Sequence, residues 1–150
     1  MLVLREAKET DMDLLYHWAN DPDVRQNSFN SDSIPYKEHV SWFNNMMANT
    51  SVLQFIMMDE GVPVGQIRLT INNDEAEIGY SIDKEYRGKG YGHSILKLVK
   101  IKITEQYPNI KKLVAKVKPE NDRSNKLFRS EGYETKYLYY VFTIGGDKEN

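Results

Sequence analysis

The residues best suited to chemistry are Tyr86-Arg87-Gly88-Lys89-Gly90-Tyr91-Gly92, three glycines in five positions between a strand-like run (Glu75 to Ile82) and a helix-like run (His93 to Tyr107). Glycine reaches positive φ cheaply and lets another molecule come close to the main chain. A turn that opens directly into a helix aims free N–H groups and the positive end of the helix dipole at one spot, which suits a phosphate. Arg87 and Lys89 add formal charge there. Two readings follow: a pyrophosphate cradle, or a tight strand-to-helix turn with solvated basic residues. The spacing is neither G-x-x-x-x-G-K-[ST] nor G-x-G-x-x-G with an acidic residue about 20 positions later, so ATP and NAD both lose ground.

The elements that must position this loop are legible on either side of it. Leu2 to Ala7 reads as a first strand, and Thr10-Asp11-Met12-Asp13 as a helix start followed by Leu14, Leu15 and Trp18 at helical spacing. Asn20-Asp21-Pro22 stops that helix. Arg25 to Pro35 reads as a polar loop with Phe29 exposed in it, and Tyr36 to Asn49 as a second helix. Val52 to Asp59, Val64 to Ile71 and Glu75 to Ile82 form an antiparallel meander that delivers the chain to the glycine loop. Helix His93 to Tyr107, strand Leu113 to Val117 and helix Asp122 to Glu131, capped by Gly132, come next. A Tyr-rich strand from Tyr133 to Ile144 and a frayed tail over 145–150 close the chain.

With 150 residues, 1–150 is expected to form one domain with a real core. A hydrophobic share of 40% and a charged share of 28% disfavour disorder. The net charge of −2 offers no footprint for nucleic acid, and Lys97, Lys100, Lys102, Lys111 and Lys112 read as a solvated helix face and its loop. No apolar run reaches the ~18 residues a membrane span needs, and no signal peptide is seen, so a cytoplasmic protein is expected. Without cysteine there is no disulfide framework or thiolate site, and three widely spaced histidines suggest no metal.

Arg87-Gly88-Lys89-Gly90-Tyr91-Gly92 resembles the R/Q-x-x-G-x-G/A motif of the GNAT acyltransferase superfamily, which binds the pyrophosphate of acetyl-CoA. Two further segments are similar to that family. Ala76 to Ile82 looks like the strand that GNAT enzymes splay from its neighbour, leaving backbone groups for the pantetheine arm, much as an added peptide strand completes a sheet edge. Val117 to Tyr133 resembles V-x-P-x-N-x-x-S/A-x-x-L-Y-x-x-x-G-F. From pattern alone the class is mixed α+β. The resemblance implies a mostly antiparallel sheet of about six to seven strands with about four helices, splayed between the fourth and fifth strands. It also implies acetyl-CoA contacts at Ser81, Ile82, Arg87, Gly88, Lys89, Gly90, Tyr91, Gly92, His93, Asn121, Ser124, Asn125 and Phe128.

The family's frequent general-acid tyrosine falls at Phe128, which cannot donate a proton. Another hydroxyl must serve, with Tyr133 first among Tyr137, Tyr139 and Tyr140, or water does, since a thiol pKa near roughly 8.5 makes a fair leaving group. The oxyanion should meet a backbone N–H near Ser81 or Ile82. Glu77 is the first candidate base, with Glu75 and His39 behind it; the bland readings are a solvated strand carboxylate and a helix-surface histidine. Residues 20–43 look like the N-acetyltransferases of amino-sugar nucleotides, such as those of the pseudaminic acid pathway. That resemblance makes Arg25, Asn27, Ser28, Phe29, His39, Trp42, Glu77 and Tyr80 the acceptor side. A ribosomal-protein-type N-terminal acetyltransferase and a non-catalytic acyl-CoA-binding module are the competing readings. The Tyr133 to Ile144 edge either pairs two copies or is protected by the tail.

Overall fold

A computed structural model describes residues 1–145. Ten elements follow one another: β1 (Leu2–Glu6), α1 (Met12–Ala19), α2 (Pro22–Asn27), α3 (Tyr36–Ala48), β2 (Val52–Asp59), β3 (Val62–Asn72), β4 (Glu75–Ile82), α4 (Tyr91–Gln106), β5 (Lys112–Val114) and α5 (Asp122–Ser130). The sheet order is β1-β2-β3-β4-β5, antiparallel throughout except for the parallel β4–β5 pair.

Strand alternation explains the two cores. Phe55, Met57, Ile67, Leu69, Ala76 and Ile78 pack on one face with Ile95, Leu96, Val99 and Ile103 of α4 and Leu127 and Phe128 of α5. On the other face Ile56 meets Leu15 and Trp18 of α1 and Phe43 and Met46 of α3. The result is an α+β mixed sheet covered by helices on both faces.

Several boundaries and counts differ from expectation. Among the described residues the sheet has five strands, not six to seven, and five helices stand where about four were expected. The additional helix is α2, inside the stretch read partly as a loop. Its signal was present: Asp21 accepts the Asp23 N–H at 2.9 Å as N-cap, and Pro22 takes the first helical position. The Tyr133 to Ile144 run forms no strand; Tyr137, Tyr140 and Ile144 are exposed by 76%, 86% and 84%. β-propensity needs a neighbouring ladder, and β5, whose ladder spans only three residues, leaves this run little to pair with. Of the tail read as frayed, 146–150 lies outside the described residues.

Thr10 does not cap α1. Instead Asp11 accepts the Lys8 N–H at 2.7 Å and two bonds from Arg5, Nη1 to Oδ2 at 2.7 Å and Nη2 to Oδ1 at 2.9 Å. These bonds fasten β1 to the start of α1 and hold the buried Asp11 carboxyl below its usual range, chiefly through the Arg5 bonds. A lowered folded value means the stabilisation exists while Asp11 is ionised and fades as pH falls through that value. Asp11→Asn is therefore expected to lose about 2 kcal/mol at pH 7. Urea unfolding should show the gap to the parent narrowing below about pH 4, and an unchanged gap at low pH would refute the ion pair's role.

Candidate active site

The glycine loop is open on its outer side. Gly88 and Gly90 have φ of 78° and 84°, and a Cβ on either would meet no atom within 4 Å. Gly90 is the N-cap of α4, and the Ser94 N–H is the first to close, on the Gly90 carbonyl at 3.2 Å. The N–H groups of Tyr91, Gly92 and His93 consequently point out of the helix start. Left-handed glycines, outward amides and free space fit a diphosphate.

The splay lies beside it. β5 pairs with β4 only at Glu75, Ala76 and Glu77, so Ile78 to Ile82 continue with no strand on that side. The Asp83 N–H donates to the Val64 carbonyl at 2.9 Å, so amides 83, 81 and 79 face β3 and those of Tyr80 and Ile82 face the gap. Asn121, N-cap of α5, accepts the Ser124 N–H at 3.2 Å. The Tyr80 and Ser124 hydroxyls bond at 2.8 Å, and the Tyr80 ring stands edge-on to Phe128 with centroids 5.8 Å apart.

Glu77, Gly79 and Ser81 face the opposite side of the sheet, opposite Thr70, Arg68 and Gln66. A ladder of amides crosses this face: Gln54 Nε2 donates to Gln66 Oε1 at 2.8 Å, and Gln66 Nε2 to Ser81 Oγ at 3.1 Å. The Arg68 guanidinium lies 5.0 Å from the Trp42 ring centroid, and Glu77 pairs with Lys116 at 3.3 Å. A separate cavity of about 430 Å³ between α1, the 33–35 loop and Lys84 is lined by neither Arg68, Trp42 nor Glu77.

Residues 1–134 match the family described as acetyltransferase (GNAT) domain. The chain belongs to the GNAT acetyltransferases. It is an enzyme of acetyl transfer that uses acetyl-CoA as co-substrate. An uncharacterized N-acetyltransferase, p20, of Bacillus licheniformis is 26% identical over 147 residues, 91% of this chain and 81% of the relative. A domain from Methanocaldococcus jannaschii superposes with TM-score 0.78 at 25% identity, covering 91% of this chain and 90% of that one. Spermidine N-acetyltransferase from Vibrio cholerae, solved with CoA and spermine, superposes with TM-score 0.82 at 22% identity, covering 97% and 88%.

Within this GNAT domain several residues stand in roles the sequence did not suggest. Arg87 is turned from the cradle: Nε donates to the Ile82 carbonyl at 3.1 Å, and the guanidinium meets Asp23 at 3.0 Å and Asp21 at 3.3 Å. Lys89 stands over the Tyr86 ring at 5.5 Å, and the Tyr91 hydroxyl donates to Asp59. Gly92 serves packing, because a Cβ there would come within 2.9 Å of Leu127 Cδ2. His93 Nδ1 meets Glu131 at 2.9 Å, and Asn125 Nδ2 donates to the Lys118 and Asn121 carbonyls at 3.0 Å each. The Ser81 amide faces β3, so of the expected pair it is Ile82, joined by Tyr80, whose N–H opens on the gap.

On the acceptor side, His39 is 2% exposed and donates Nε2–H to the Met12 carbonyl at 2.8 Å, a core tie between α3 and α1 with no path to a substrate proton. Arg25 spends its donors on the carbonyls of Ala19, Asn30 and Asp32 and on Ser28 Oγ. Asn27 and Ser28 bond back to α2 at the Asp23 and Val24 carbonyls, while Phe29 stays exposed. Tyr80 sends its ring to the face away from Glu77. Tyr133 packs on Phe128 and under Lys100, and burial, with Glu131 nearby, pushes its phenol up to about 12. That is more than about three units above a thiol, so Tyr133 is a poor acid for a leaving thiolate. Arg68, Gln54 and Gln66 escaped notice, although polar residues two apart in a central strand were a visible signal.

Among the described residues no group of three or more His, Cys, Asp or Glu side chains is placed to hold a metal, and no helix is long and apolar enough to cross a membrane. Gly90→Val is expected to weaken CoA binding by at least about 100-fold in calorimetry, by straining φ and placing a side chain where phosphate approaches. Gly92→Ala should instead lower the melting temperature, from overpacking worth about 1–3 kcal/mol, with a smaller change in CoA affinity. Equal loss of CoA binding in both would contradict this division of roles.

Proposed function

We propose that this acetyltransferase acetylates a primary amine, the 4-amino group of a UDP-linked amino-deoxy sugar used in surface-glycan synthesis. The observation that carries the acyl-transfer step is the gap after Glu77, with the Tyr80 and Ile82 amides turned into it beside an open glycine cradle. Acetyl-CoA supplies the activated acyl group. The Ile82 amide donates to the acyl oxygen as it gains charge, the Tyr80 amide, about 7 Å away at strand rise, is left for the pantetheine arm, and the sheet edge holds the reacting groups in line. Glu77, about half exposed and steadied by Lys116, removes the ammonium proton directly or through water. Phe128 leaves the thiolate without its usual donor. Burial raises the Tyr80 phenol as it does that of Tyr133, so neither is a ready acid, and water reprotonates the thiolate, a fair leaving group as it stands.

The sugar-nucleotide acceptor is supported by the resemblance of residues 20–43 and by the partly exposed Trp42 ring on the acceptor face. Both substrates are cytoplasmic metabolites, so we assign the enzyme to the cytoplasm. The exposed part of the Tyr133 to Ile144 run, from Tyr137 on, supports pairing with a second copy. An acceptor panel reading free thiol tests the reaction, with UDP-4-amino sugars expected to outrun peptide N-termini and polyamines. Preference for peptide N-termini would assign an N-terminal acetyltransferase, and acetyl-CoA binding without thiol release from any amine a non-catalytic module. Glu77→Gln is expected to slow kcat about 100-fold with CoA affinity kept. A fully active Gln variant at neutral pH removes Glu77 as the base.

A further inference from the structure

The acceptor face carries a cation that nothing in the fold uses. Among the described residues Arg68 makes no hydrogen bond and no ion pair, although the guanidinium has five N–H donors and is half-buried. Arg25 and Arg87, by contrast, are committed to carbonyls and carboxylates. The Arg68 guanidinium carbon lies over the Trp42 ring, 5.0 Å from its centroid, a contact that uses none of its N–H donors. Glu77, two residues from Gly79 on the same face, is drawn to Lys116 instead. Burial pushes the guanidinium below its usual value with no carboxylate to offset it, so an arriving anion relieves an uncompensated charge.

A second observation concerns the floor. Gln54, directly opposite Arg68 across β2 and β3, is 6% exposed, and its Oε1 has no partner among the described residues. A buried acceptor without a donor is costly and calls for a hydroxyl or amine hydrogen. Gly79 faces Arg68 across β3 and β4, and a Cβ there would meet Arg68 Nη2 at 3.7 Å, so glycine keeps the space beside the guanidinium clear. Tyr80 and Ile82, whose amides face the gap, lie one and three residues further along β4, about 3–10 Å at strand rise.

We propose that Arg68, lying over the Trp42 ring and flanked by Gly79 and Gln54, is the receptor for an oxyanion carried by the acceptor itself, close to its amine. This deepens the acetyltransferase reading and rests on it. The acceptor class is a compact amine bearing a phosphate or a carboxylate within about 10 Å of the nitrogen, and not a polyamine. The guanidinium grips the anion in bidentate fashion, and the amine is thereby delivered to the gap.

The experiment compares charged and uncharged partners of one amine in thiol release: a UDP-linked 4-amino sugar against its methyl glycoside, and an amino acid against its amide. Wild type should prefer the charged member of one pair, the first marking a phosphate and the second a carboxylate. Arg68→Met should reduce that preference about 10–100-fold through KM, and Arg68→Lys should restore part of it. Calorimetry with the same charged amine reads binding without turnover, and Arg68→Met should lose it. Equal use of charged and uncharged partners, or undiminished binding of the charged amine to Arg68→Met, overturns the inference. Thiol release from no amine, with Arg68-dependent binding intact, defeats the acetyl-transfer reading and leaves the anion receptor standing.

Discussion

A backbone that leaves its ladder must find other partners, and that constraint shapes this molecule. After Glu77 the parallel pairing of β4 with β5 stops, and the main chain of β4 runs on to Ile82 with one side unpaired. In a closed sheet those amides would be spent on a neighbouring strand. Here Arg87 satisfies the Ile82 carbonyl, and a tyrosine and a serine join hydroxyls across the opening. The outward amides are left for a ligand, and they sit next to a helix start whose own N–H groups are also unspent.

The two faces of β4 divide the labour. Side chains at even positions feed the core under α4 and α5, so the wall of the gap is rigid and apolar. The odd positions, Glu75, Glu77, Gly79 and Ser81, present two carboxylates, a glycine and a hydroxyl on the opposite face. Period-two alternation thus separates donor and acceptor territories on a single strand. The buried amide ladder from Gln54 through Gln66 to Ser81 stiffens the floor between them.

Much of this was readable in the sequence, because backbone demands leave local marks. The glycine loop, the meander and the helix after it depend on φ > 0, alternation and helical spacing, and all three appear in the structure where the pattern put them. The departures have a common cause: side-chain commitments are set by what lies across space. Nothing local told that Arg87 would turn to Asp21 and Asp23, that His39 would be buried on the Met12 carbonyl, or that Leu127 would need the space at Gly92. The Tyr133 to Ile144 run failed for the complementary reason, since strand-like composition cannot create a neighbour. The spacing of Gln66 and Arg68 marked a polar face, but that Arg68 lacks a partner showed only once β2 and β4 stood on either side of it.

The manner in which α2 is held has its own consequence. None of its residues is buried; it is clasped on one flank by Arg87 through Asp21 and Asp23, and on the other by Lys118, whose Nζ donates to the Gln26 carbonyl at 3.0 Å. A segment with no fully buried residue, moored through polar contacts, detaches at lower free energy than the apolar layers beneath it. Breathing of this flap therefore leaves both cores intact. Its two moorings stand on opposite banks of the gap, so whatever occupies the channel and whatever enters from the acceptor side meet at the same latch.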